Sequence, residues 1–171
     1  MLLVAAGCGD DAETTEPVTQ TEPVETTAAE DATAVFDRDA CELLSDDQVA
    51  AVLGDGVTSE STPGDASIAQ PAACTWSGPD STVDFTDPQP TGITVFLGDH
   101  QIYDNTRILA EDGDTYEELD GIGDEAYAGD GEGGVLVGEI GVTVTPIGTD
   151  ANDPATHDLV VDLLGQVAEN V

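Results

Sequence analysis

From residue 9 to residue 35 the chain has almost no large apolar side chain; the stretch is mainly Thr, Glu, Asp, Pro and Ala. Such a segment cannot bury enough apolar surface to offset the entropy lost on ordering, so it does not fold by itself. Any folded unit must therefore lie downstream. The reading divides the chain into residues 1–8, a disordered tether over 9–40 and one domain over 41–171. A domain of that length buries roughly two-thirds of its unfolded surface. As a flexible coil the tether spans roughly 30 Å, and about 100 Å when extended.

The chain opens Met1-Leu2-Leu3-Val4-Ala5-Ala6-Gly7-Cys8. Small residues directly before a cysteine, followed by a polar tether, resemble the lipidation site of a bacterial lipoprotein. Ala5 stands where Leu is usual, and no Lys or Arg precedes Cys8. A working export signal takes ~15 to 30 residues with a basic start, so residues 1–8 are read as the end of a truncated lipoprotein signal. The resemblance implies a lipid anchor on Cys8 and a place on the extracytoplasmic face of the cell membrane.

Thirty-seven acidic residues face two arginines, Arg38 and Arg107, and there is no lysine; the formal net charge is −35. Nucleic-acid binding is excluded on this ground, because phosphate affinity comes from counterions displaced by Lys and Arg. Anionic membrane surfaces would repel the chain as well. The acidity is read first as adaptation to high salt, where repulsion between carboxylates is screened within about 3 Å at 1 M. Specific Ca²⁺ binding and recognition of a basic partner are the alternatives. The densest acidic stretch, 111–125, fails the EF-hand pattern: counting from Asp112, Glu117 falls where Gly is required and Gly123 where the bidentate Glu belongs.

Cys41 and Cys74 are the other two cysteines. In an exported domain an isolated pair reads as a disulfide. The only imidazoles, His100 and His157, lie at no zinc-ligand spacing from them. Neither a metal site nor a cofactor is expected.

Local signals outline the domain. Ser45 and Gln48 form a Ser-x-x-Gln capping box, Leu44 can staple onto Val49, and Gly54 stops the helix they begin. A long connection over 54–71 leads to a strand over 73–77, whose alternation puts Cys74 and Trp76 on one face. A second strand is predicted over 93–97. A helix follows over 101–110, with Ile102, Thr106 and Leu109 at helical spacing. Gly121 and Gly123 mark a turn into a strand at Tyr127. A hairpin is expected over 135–139 and 142–147, turning near Ile140-Gly141. Asp153 and Pro154 start a last helix, with Val160, Leu163, Leu164, Val167 and Val171 along one side. Strands in the middle and helices at both ends give an α+β class with a largely antiparallel sheet.

Asp39-Ala40-Cys41-Glu42-Leu43-Leu44-Ser45, Cys74-Thr75-Trp76 and Gly121-Ile122-Gly123-Asp124-Glu125-Ala126-Tyr127 together resemble an uncharacterised family of secreted lipoproteins from high-GC Gram-positive bacteria. The shared features are a Cys-x-Leu-Leu opening and a Cys-x-Trp strand. The resemblance implies bridged cysteines, an extracytoplasmic site and a fold akin to the photosystem-II-protein-P or Mog1-like sandwich. It brings no catalytic residues. The Gly121 to Tyr127 segment has two readings. In one it is structural, with glycines at a turn, Ala126 under a helix and the Tyr127 hydroxyl at the rim. In the other, Asp124, Glu125 and Tyr127 form a ligand mouth.

An enzyme is not expected. There is no Gly-x-Ser-x-Gly elbow and no Ser-x-x-Lys, and no cysteine is left over in the domain. The expected role is a tethered binding or interaction module acting on an envelope component or an exported partner. The alternative is a structural or accessory protein of an envelope complex that binds no small molecule. An enclosed apolar pocket of ~300 Å³ between sheet and helix marks the first, and a solid core with an exposed apolar patch marks the second.

Overall fold

The computed structural model describes residues 34–79 and 89–171. Cys8, the tether up to residue 33 and Phe85 lie outside the described residues. Packing starts before Cys41. Val35, Phe36 and Ala40, assigned to the tether from sequence, are buried in the main core. The Val35-Phe36 pair is the first that can contribute to a core, so the folded unit includes the last part of the 9–40 segment.

Helix α1 (Asp46–Leu53) forms where its cap dictates. The Ser45 side chain accepts from the Gln48 backbone N–H, the Gln48 side chain accepts from the Ser45 N–H, and Gly54 ends the helix at φ 84°. Helix α2 (His100–Glu111) is capped by Asp99, which accepts from the Gln101 N–H. Helix α3 (Pro154–Ala168) has the predicted Asp153 cap and Pro154 at its first turn. None of the described helices is long and apolar enough to cross a membrane.

Seven strands, β1 (Thr58–Thr62), β2 (Ala72–Ser77), β3 (Gly92–Asp99), β4 (Glu117–Glu118), β5 (Glu125–Gly129), β6 (Glu132–Val137) and β7 (Ile140–Ile147), form one sheet. Their order is β1-β2-β3-β7-β6-β5-β4, and every pairing is antiparallel. Register sorts the side chains by face. Ala72, Cys74 and Trp76 lie opposite Leu97, Val95 and Ile93, and Leu97 and Val95 lie opposite Val142 and Val144. This face packs with Leu43, Leu44, Val49 and Leu53 at one end and with Val160, Leu163, Leu164 and Val167 of α3 at the other. The Cys41–Cys74 disulfide bridges the turn before α1 to β2, with the two Cα atoms 5.0 Å apart. The opposite face carries a smaller cluster of Tyr103, Ala110 and Tyr127 under α2.

Three local expectations are corrected. Strand β1 falls inside the predicted connection; all five of its residues are exposed, so no apolar alternation betrays it. The β6–β7 hairpin turns at Gly138-Glu139, with Val137 paired to Ile140, two residues before the expected turn. On α2, Leu109 points to solvent at 72 % exposure, while Tyr103 and Ala110 face the sheet.

Strand β6 begins with Glu132, directly after the turn. Its carboxyl is half-buried, and burial, with a further push from the Asp130 charge, raises its pKa above the usual glutamate range. The folded state therefore favours the protonated form. The stability this contributes is complete below the ordinary glutamate pKa and is lost as pH rises through the folded one. Glu132→Gln keeps the shape and removes the charge, so it is expected to raise the thermal midpoint at pH 7. The gain should shrink toward zero by about pH 4. Melting both chains from pH 4 to pH 8 checks this, and a gain independent of pH would count against it.

Candidate functional site

Face alternation and helical spacing bring one set of chemistry-bearing side chains together. On α2, Tyr103 and Arg107 are four residues apart and share a helix face. On the sheet, Glu118 lies opposite Tyr127, and Glu125 is two residues before Tyr127 on the same strand face. These elements enclose a half-open cavity of about 240 Å³. Tyr103, Arg107 and Tyr116 line it together with Glu118, Asp120, Asp124 and Glu125.

Glycines make the close approach of α2 possible. A Cβ on Gly141 would sit 2.6 Å from the Asp99 carbonyl oxygen and 3.0 Å from the Tyr103 nitrogen. The turn on the acidic side is fixed by backbone bonds. Leu119 N–H donates to the Ala126 carbonyl at 2.9 Å, and Asp124 N–H to the Leu136 carbonyl at 2.8 Å. One Asp124 oxygen accepts from the Gly138 N–H at 2.7 Å. Gly121 and Gly123 adopt φ 83° and 58°, the backbone freedom the structural reading of this segment required.

Of the three mouth residues named from sequence, Asp124 and Glu125 line the cavity. Tyr127 stands behind it. Its ring lies 5.6 Å from Tyr103 and 6.0 Å from Tyr116, centre to centre. The expectation that the Tyr127 hydroxyl reaches the rim is corrected, because the side chain is fully buried and the hydroxyl has no hydrogen-bond partner. Burial holds the Tyr127 phenol well above its ordinary pKa, with Thr106 offsetting part of the shift. Tyr103 is pushed up to about 12 by burial and then by the Glu125 carboxylate.

Arg107 is the residue sequence reading did not place. Its Nη1 pairs with Glu111 one turn on, while its Nε–H is buried without a partner. The Tyr116 hydroxyl lies beside the guanidinium and raises its pKa, with Glu111 adding to the effect. The two groups nevertheless miss hydrogen-bond geometry, so the Tyr116 hydroxyl also remains unpartnered. One signal could have found this site: the domain's single arginine after Cys41 sits one helical turn from a tyrosine. No group of three or more His, Cys, Asp or Glu among the described residues is placed to hold a metal ion. The polar walls also differ from the enclosed apolar pocket that sequence reading set as the mark of ligand capture.

Sheet, helices and bridge define an α+β domain with helices against both faces of one antiparallel sheet. A family model described as "Protein of unknown function (DUF3558)" matches residues 3–144, and the chain belongs to that family. The match takes in the Cys8 segment, the disulfide and every residue of the cavity. No curated protein and no solved structure matches the chain.

Proposed function

We propose that the chain is a lipoprotein tethered through Cys8 to the extracytoplasmic face of the cell membrane. Its domain is a non-catalytic binding or interaction module for an envelope component or an exported partner. The observation behind the binding reading is the cavity wall with a buried guanidinium N–H and a buried phenol hydroxyl, both unpartnered. Buried polar groups are nearly always satisfied, and exceptions call for a ligand, water or ion. The Cys41–Cys74 bridge supports the compartment, since such bonds persist in oxidising surroundings. The small residues before Cys8 support the anchor.

Cell fractionation tests the address. Produced from its own locus, the chain is expected in the membrane fraction, and Cys8→Ala is expected to shift it to the soluble exported fraction with the bridge intact. Recovery from the cytosol with Cys41 and Cys74 as free thiols would overturn the reading.

A further inference from the structure

The cavity beside α2 is lined by groups of opposite chemistry, and together they define what can fill it. Tyr103, which is 98 % buried, contributes its ring to the lining. Next to it are the free Nε–H of Arg107 and the free hydroxyl of Tyr116. Both free groups can donate to an anionic or strongly accepting guest. The lining also holds Glu118, Asp120 and Glu125, none of which has a cationic partner among the described residues.

A simple anion would meet Arg107 but would be outnumbered by carboxylates, and Arg107 already shares its charge with Glu111. A simple cation would satisfy the carboxylates and leave the buried donors unmade, a costly state for such groups. An apolar guest satisfies neither set of groups. A ligand with both charges a short distance apart satisfies both, and hydrogen bonds to charged groups are the stronger kind. The cavity's 240 Å³ is room enough for a small guest.

We propose that this cavity binds a small α-amino acid. The ligand carboxylate lies against Arg107 and the Tyr116 hydroxyl, and its ammonium group is held by Glu118 and Glu125. The inference rests on the reading of the chain as a binding module and adds the chemical class of its ligand.

The test is a ¹H–¹⁵N NMR titration of the full chain with glycine, L-serine, ethylamine, acetate and glucose in separate experiments. Glycine and L-serine are expected to shift the amides of residues 103–107 and 118–126 to saturation. Ethylamine and acetate should bind at least tenfold more weakly. Arg107→Gln should abolish the glycine response while the spectrum stays dispersed, and Glu125→Gln should weaken glycine and strengthen acetate. Ethylamine binding as tightly as glycine, glucose binding in place of the amino acids, or an Arg107→Gln chain that still binds glycine would overturn the ligand class while keeping the cavity as a binding site. If none of the five probes moves these amides, the inference and the binding role of this cavity both fall.

Discussion

Replacing both bridged cysteines, Cys41→Ala with Cys74→Ala, is expected to lower the thermal midpoint by roughly 10 to 15 °C. The two residues are 33 apart. Closing a loop of that length removes about 3.5 to 4 kcal/mol of unfolded-chain entropy in the loop-closure estimate. For a chain of this size each kcal/mol corresponds to about 3 to 4 °C. The substitutions also trim buried atoms, because Cys74 is fully enclosed beside Trp76, so the packing change acts in the same direction. Urea unfolding separates the two causes. An unfolded chain freed of its cross-link exposes more surface, so the slope against denaturant should rise along with the fall in midpoint. Reducing agent should bring the unmodified chain close to the variant. A midpoint within about 3 °C of the parent would show that the bridge constrains little.

Trp76→Ala is expected to cost about 3 to 5 kcal/mol. The indole is 2 % exposed on the same strand face as Cys74, lies opposite Ile93 across β2 and β3, and packs in the cluster shared with α1 and α3. Removing it opens a void between sheet and helices that neighbours anchored by the bridge cannot collapse into, which places the loss at the upper part of that range. Trp76→Phe keeps a ring in the site and should cost roughly half as much or less. Equilibrium unfolding of both variants in urea measures the difference. Equal losses for Ala and Phe would mean that a specific indole contact, rather than filled volume, is what matters there.

Legibility followed the distance over which each element is determined. The cap of α1, the paired faces of Cys74 and Trp76, and the Asp153-Pro154 start of α3 are each encoded within a few residues, and all three are present. Strand β1 has no such code: Thr58-Ser59-Glu60-Ser61-Thr62 is polar throughout and holds its place by pairing with β2. The turn between β5 and β6 did have a local signal that went unused. Asp130 and Gly131, at φ 50° and 77°, are the Asp-Gly pair of a two-residue hairpin. Asp124 and Glu125 stand together in the Gly121 to Tyr127 segment, so the sequence alone can name them. Arg107, Tyr103 and Tyr116 reach the same cavity from α2 and the segment before β4, and only the tertiary fold brings them there.

Arg38 donates to the backbone oxygens of Val171 and Asn170, each at 3.2 Å, and the Asn170 side chain donates to the Leu43 carbonyl at 2.9 Å. Entry to and exit from the folded unit therefore lie side by side. Joining Val171 through a short linker to the chain just ahead of Val35, and opening it at an exposed loop elsewhere, would keep every strand neighbour and the buried Val35-Phe36 pair in place, which makes this domain a natural substrate for circular permutation. A reporter fused after Val171 would, by the same geometry, sit next to the point where the chain enters the domain.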